Sequence, residues 1–227
     1  MAEVTHATAL NRGQFKRLIS ITRATSRYAD RDVLVLLLGH KAGLRVTEIS
    51  RITIADVMFP SGKLREECSL REAVTKGCRQ RCAYFSHPDL IAAIEAYLAF
   101  RLAKGIGVDL DDSPAYRGLL QHMPLIWSSR GDGLSQNTKR RVLQTGQTVD
   151  YKCCDSLQSH LTSLYKKAGI PRGSSHSGRR TFANRILEKT GDIEVVKTLL
   201  GHADIDCTDR YLDVSQATLS SMFAAAV

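Results

Sequence analysis

The sequence predicts an α+β chain that is mainly α-helical, one compact helical domain carrying a small three-stranded antiparallel sheet. Three observations point there. Apolar residues recur at helical spacing through most of the chain, the stretch from Thr53 to Phe85 switches to short runs broken by turn residues, and there is no internal repeat or low-complexity tract. With 227 residues, 43% hydrophobic and 24% charged, the chain has enough apolar surface for a buried core.

The elements follow in order. Asn11 with Gln14 three residues later reads as a capping box, Leu10 can staple onto Phe15, and Phe15, Leu18, Ile19 and Thr22 continue the stripe. A second helix starts near Asp30; its run Val33–Leu38 is apolar all round, which places it in the core, and Gly43 is set to end it. Thr47–Ile52 reads as a short helical turn with Thr47 as its cap. Ile54 to Phe59, Leu64 to Val74 and Gln80–Phe85 then read as three strands with turns at Pro60–Gly62 and Lys76-Gly77. Ser86 with Asp89 opens an amphipathic helix running to Gly105. Gly105–Pro124 is a loop long enough to be either functional or poorly ordered. Leu125–Trp127 reads as extended, with a turn at Ser128–Gly133. Gln136–Asp150 is polar, without a clear period. Leu157, Leu161, Leu164, Tyr165 and Ala168 form a stripe ended by Gly169 and Pro171. Helices over Ser177–Lys189, Asp192–Leu200 and Ser215–Phe223, with a short one leading to Tyr211, complete the chain.

Several classes drop out. No apolar run approaches the roughly 18 residues that span a bilayer. The amino terminus lacks a basic start followed by an apolar stretch, so a soluble cytoplasmic chain is expected. The six cysteines read as thiols, since neither paired C-x2-C elements nor finger-spaced histidines accompany them. The formal net charge of +9 fits a polyanion binder, or simply a basic surface.

Three segments carry chemistry. In Gly43-Leu44-Arg45-Val46-Thr47-Glu48, Arg45 stands at a helix N-terminus, where backbone N–H groups favour an anion; a surface pair with Glu48 is the plain alternative. In His176-Ser177-Gly178-Arg179-Arg180, His176 and Arg179 are three apart and so share a helix face, which suits a phosphate. In Leu199-Leu200-Gly201-His202, the glycine ends a helix and leaves His202 beyond it. Tyr211 follows nine residues later; alone it reads as an ordinary amphipathic tyrosine.

Together these segments resemble the tyrosine recombinase (phage integrase) family, in a fixed order: an arginine in GLRxTE, a hairpin lysine before glycine, HxxR, LLGH and the tyrosine. The resemblance runs from about Leu10 to Val214 and implies the DNA breaking-rejoining enzyme fold. It assigns catalytic roles to Arg45, Lys76, His176, Arg179, His202 and Tyr211, with Glu48 supporting Arg45. Lys139, Arg140, Arg141 and Arg180 are candidates for DNA contact. The stretch before Arg45 is shorter than the separate N-terminal domain that family members carry. Residues 1–227 are therefore expected to form a single catalytic domain without that core-binding domain.

The implied function is that of a site-specific DNA recombinase. Tyr211 attacks a phosphodiester to form a 3′-phosphotyrosyl link, and the bond energy stays in the adduct, so neither metal nor ATP is required and no cofactor is expected. Arg45, Arg179 and His202 would stabilise charge on the non-bridging oxygens, His176 would take or orient the tyrosine proton, and Lys76 would protonate the leaving 5′-oxygen. Expected partners are double-stranded DNA, further copies of the chain as a tetramer on paired sites, and an accessory DNA-bending protein. Residues 215–227 either pack onto a neighbouring protomer or fold back at home. A DNA-binding protein without catalysis, and a nicking-closing enzyme acting as one protomer, are the competing classes.

Overall fold

The computed structural model describes residues 7–70, 81–111, 113–128, 133–142 and 146–201. Helix α1 (Arg12–Thr25) opens on the expected capping box: Asn11 Oδ1 accepts the Gln14 N–H at 2.9 Å and Gln14 Oε1 accepts the Asn11 N–H at 3.0 Å. Helix α2 (Ala29–Lys41) is the axis of the domain, with every residue from Arg31 to His40 buried. Helix α5 (Pro88–Ala103), helix α7 (Ser177–Thr190) and α1 all pack against it. Six consecutive apolar side chains, Val33 to Leu38, leave no polar face, so the helix has to be surrounded. Burying each contributes about 1.5–3 kcal/mol.

Close approach of α2 and α7 depends on the glycine at 178, which lies against Gly39. A Cβ on Gly178 would lie 3.0 Å from the carbonyl carbon of Gly39 and 3.2 Å from the His40 ring. The pairing brings the first turn of α7, and with it Arg179, onto the end of α2. The opening of the chain is tied to the same place, where the Leu10 N–H donates to Thr181 Oγ1 at 2.9 Å. Helix α6 (Asp155–Lys167), which carries the expected Leu157–Tyr165 stripe, packs on α1.

The segment after Arg45 differs in detail from the expectation. Val46–Ile49 forms a single turn, α3, capped by Arg45 rather than Thr47. Ile54–Val57, expected to begin a strand, is another turn, α4: Asp56 Oδ2 accepts from the Thr53 N–H at 2.8 Å, and Ile54 and Val57 are both buried at helical spacing. Only an isolated bridge, Met58 to Leu64, remains of that strand. The sheet itself is an antiparallel pair among the described residues, β1 (Glu67–Leu70) with β2 (Arg81–Tyr84). A second pair, β3 (Asn137–Val142) with β4 (Thr148–Cys153), forms where the sequence showed no clear period.

The two ends of the long loop 105–124 are tied together by one side chain. Arg101, fully buried, donates from Nε to the Ile106 carbonyl at 3.2 Å and from Nη1 to those of Pro124 and Leu125 at 2.8 and 3.1 Å. Helix α8 (Ile193–Leu200) is capped by Asp192, whose Oδ1 accepts the Glu194 N–H at 2.8 Å, and ends at Gly201. The described cysteines Cys68, Cys82, Cys153 and Cys154 form no disulfide with one another. Among the described residues, no helix is long and apolar enough to cross a membrane.

Inside the α1–α2–α6 junction, His40 Nε2 lies 2.8 Å from Tyr165 Oη, with the Phe15 ring 4.6 Å from the imidazole. Burial, then the charges of Arg185 and Lys41, push the His40 pKa down to about 3. The unfolded chain, with its histidine near 6.5, therefore takes up one more proton than the folded one between those values, and stability falls as pH drops. At full effect the slope is about 1.4 kcal/mol per pH unit. Urea titrations from pH 7 to 5 should show this loss in the wild type and a flatter profile in His40→Gln; equal slopes would mean His40 does not titrate this way.

Candidate functional site: an arginine joint around a buried glutamate

The joint begins with a capping problem. Where α3 starts, the Arg45 N–H has no carbonyl four residues back, and Glu48 at the third helical position supplies the acceptor. Its Oε2 takes the Arg45 N–H at 2.7 Å and its Oε1 takes Arg45 Nη1 at 2.9 Å. One carboxylate thus fixes both the backbone and the side chain of Arg45. Glu48 is fully buried while the Arg45 side chain keeps 19% exposure, so the guanidinium stands at the edge of the joint.

A second arginine reaches the same carboxylate. Arg81, opening β2, donates from Nη2 to Glu48 Oε2 at 2.6 Å and from Nε to Oε1 at 3.4 Å. Its Nη1 donates to the Leu199 carbonyl at 3.0 Å, and Nη2 also reaches that of Gly43 at 3.4 Å. Arg179 is 1% exposed and donates from Nη1 to the Gly43 carbonyl at 2.5 Å and from Nη2 to that of Leu200. Leu199 and Leu200 end α8, where carbonyls lack helical partners and the helix dipole is negative, so two guanidinium groups cap that end electrostatically.

Gly201 completes the contact. Its φ of +61° is left-handed, and a Cβ there would lie 2.4 Å from Arg81 Cδ, so both conformation and space require glycine. Arg81 thereby connects α3, the β1–β2 sheet and the end of α8. Burial raises the Glu48 carboxyl pKa, but Arg81, then Arg179 and Arg45, outweigh it and hold the group below its ordinary 4.5.

The structure brings Arg45, Glu48 and Arg179 together; the spacing suggests only the Arg45–Glu48 pair and a shared face for His176 and Arg179. His176 caps α7 and is exposed, whereas Arg179 in the first turn is buried, so the two differ in access to solvent although three residues separate them. Arg180 is 4% exposed, set among packed side chains rather than on an open face for DNA. Lys139 and Arg140 are exposed on β3, with Arg141 opposite Val149 in the ladder. Lys76, His202, Tyr211 and the segment 215–227 lie outside the described residues. Among those described, no cluster of three metal-type ligands is present.

Arg81 was missed by the sequence reading, which attended to the turn lysine before it. A signal was available: Phe85, Ala83 and Arg81 alternate inward, so the period of β2 places a cation on the core face, where it requires a buried acid.

Solved structures share this fold. The crystal structure of XerA recombinase matches with a TM-score of 0.67 at 21% identity, covering 99% of this chain and 66% of that one. XerH site-specific recombinase bound to palindromic difH substrate, in a post-cleavage complex, matches at 0.63 and 16% identity, covering 97% and 53%. The tyrosine recombinase XerC of Pelobacter propionicus is 25% identical over 210 residues, 92% of this chain and 56% of its own length. The chain spans about half the length of the curated relatives it matches. The phage integrase family matches residues 8–218. This chain belongs to the phage integrase family.

Because the Glu48 pKa is lowered on folding, its contribution to stability is full above about pH 4.5 and is lost as pH falls through the folded value. Glu48→Gln should therefore be less stable than wild type at pH 7, by about 3–5 kcal/mol for a broken buried ion pair. The gap should narrow as urea titrations move below pH 4.5. A gap that stays constant to pH 3 would show that Glu48 is not held as a carboxylate.

Proposed function

We propose that this chain is a site-specific DNA recombinase that cuts and rejoins duplex DNA through a covalent phosphotyrosine, without metal or ATP, in the cytoplasm. The observation that carries the reading is the arginine joint, in which Glu48 and the end of α8 gather Arg45 and Arg179 at one place. Arg45, at the edge of the joint, has guanidinium N–H groups to offer phosphate oxygens, and Arg179, buried and bonded to backbone carbonyls, adds positive charge from behind it. The relative XerH, solved with its DNA substrate after cleavage, supports DNA as the substrate here.

In this reaction the Tyr211 hydroxyl oxygen bonds to phosphorus as the bond to the 5′-oxygen breaks, leaving a 3′-phosphotyrosyl link and a 5′-hydroxyl. Tyrosine's ordinary pKa of about 10 means the proton has to be drawn off as attack proceeds, and His176 is the candidate. Lys76 returns a proton to the departing 5′-oxygen. Arg45, Arg179 and His202 stabilise the charge on the non-bridging oxygens, and Glu48 keeps Arg45 oriented. Rejoining is the reverse attack by a 5′-hydroxyl from another strand. Exchange between two sites calls for several protomers, so a tetramer on paired sites, assembled through residues 215–227 and helped by a DNA-bending protein, completes the reading.

A pool of nicked duplexes with randomised centres, incubated with protein and run on a denaturing gel, should give a covalent protein–DNA band. Tyr211→Phe should abolish that band and still bind DNA, because phosphate contacts dominate affinity. A band persisting in the Phe variant would remove Tyr211 as nucleophile.

Lys76 is tested through its leaving group. With sulfur in place of the bridging 5′-oxygen, the thiolate departs without a proton. Lys76→Ala should be slow by orders of magnitude on the oxygen substrate and near wild type on the sulfur one. Equal defects on both would give Lys76 a binding role only.

A further inference from the structure

The β3–β4 ribbon is the part of the fold that the joint does not explain. It is a two-stranded ladder in full register from Asn137 opposite Cys153 to Val142 opposite Thr148. Asn137 to Arg140, Val142, Thr148 to Asp150 and Lys152 are exposed, so both faces meet solvent, and Val142 is 69% exposed. An isolated two-stranded hairpin is marginally stable in water, and exposed valines add nothing to it there. Something that covers the ribbon would therefore stabilise it.

Charge says what. The ribbon from 137 to 153 carries Lys139, Arg140, Arg141 and Lys152 against a single acid, Asp150. Asp150 holds Arg140 (Nε to Oδ1, 2.8 Å), Asp155 at the start of α6 holds Lys139 (2.6 Å), and Lys152 donates to Thr138 Oγ1 at 2.7 Å. Exposed pairs of this kind contribute little in water, so a polyanion can draw the cations away from them.

Position says where. The ribbon is rooted beside Arg45. Helix α3 packs against β4, and Gln136, just before β3, donates from Nε2 to Ser50 Oγ at 2.9 Å, immediately after α3. A phosphate engaged by Arg45 would therefore have the ribbon alongside it. Two strands about 4.8 Å apart with their side chains fit a major groove about 12 Å wide. Six residues at about 3.3 Å each reach roughly 20 Å, some six base pairs.

We propose that the β3–β4 ribbon is a DNA-reading arm that enters the major groove next to the cleaved phosphate, with Lys139, Arg140 and Lys152 as its contacts and Asp150 as a charge that weakens its grip. This rests on the reading of the joint as a DNA phosphate site, and it adds a determinant of sequence preference outside the reacting groups.

The test uses a fluorescent 30-base-pair random-sequence duplex, with anisotropy measured across salt concentrations, and selection of bound sequences from a randomised duplex pool. Replacing Lys139, Arg140 and Lys152 together by Ala should lower the slope of log affinity against log salt by about 2.7, for three phosphate charges no longer neutralised. It should also erase preference over about six base pairs of the selected sequence. Asp150→Asn, which removes one negative charge, should tighten binding several-fold, an outcome that a merely structural ribbon would not give. An unchanged slope and selected sequence in the triple variant, or weaker binding by Asp150→Asn, would overturn the proposal. So would unchanged DNA binding with altered self-association in sedimentation, which would assign the ribbon to a second copy of the chain. The two readings fail separately. A wild type that binds through the ribbon but forms no covalent band loses only the catalytic reading. Band formation with a triple variant of unchanged slope loses only the arm.

Discussion

A buried carboxylate is the constraint on which the site depends. Glu48 has no access to solvent, and an ionised carboxyl in that position is tolerated only if cations meet it with good geometry. Arg45 and Arg81 do so directly, and Arg179 adds its charge from the neighbouring turn. The requirement runs both ways. Arg81 is itself buried, and without Glu48 and the carbonyls of Gly43 and Leu199 it would be a stranded cation. Three segments distant in sequence are thus held at one place by the need to satisfy each other's charge.

The rest of the fold supplies the rigid frame. The apolar run of α2 fixes a central helix, and the contact of Gly39 with Gly178 lets α7 come close enough to place Arg179 at the end of α2. From the other side, α8 presents its last carbonyls to Arg81 and Arg179, and Gly201 leaves room for the Arg81 side chain. A guanidinium held this way loses little further freedom on meeting a phosphate, which is how pre-organisation favours a charged transition state.

Much of this was legible in the sequence, for identifiable reasons. The Asn11 capping box, the buried run of α2 and the stripe of α6 follow from local rules and were found as expected. Arg45, Glu48 and Arg179 stood out through the family resemblance, since alone the first two read equally well as a surface pair. Ile54–Val57 was misread because Val57 and Phe59, two apart and followed by the Pro60–Gly62 turn, match the period of a strand, whereas the Thr53–Asp56 capping pair starts a helical turn at Ile54. Ladder β3–β4 was illegible because its alternation places polar residues on both faces, leaving no apolar period to detect. The role of Arg81 depends on Glu48 and Leu199, far away along the chain, and only the third dimension brings them together.

The most direct test of the joint is a double-mutant cycle between Glu48 and Arg81, using Glu48→Gln, Arg81→Met and the pair, with unfolding free energies from urea titration at pH 7. Residues coupled through a buried charge show interaction energies of about 0.5–3 kcal/mol, whereas independent sites add to within about 0.5 kcal/mol. The account predicts a coupling toward the upper end of that range, with the double variant less destabilised than the two single losses combined. Simple additivity would contradict it.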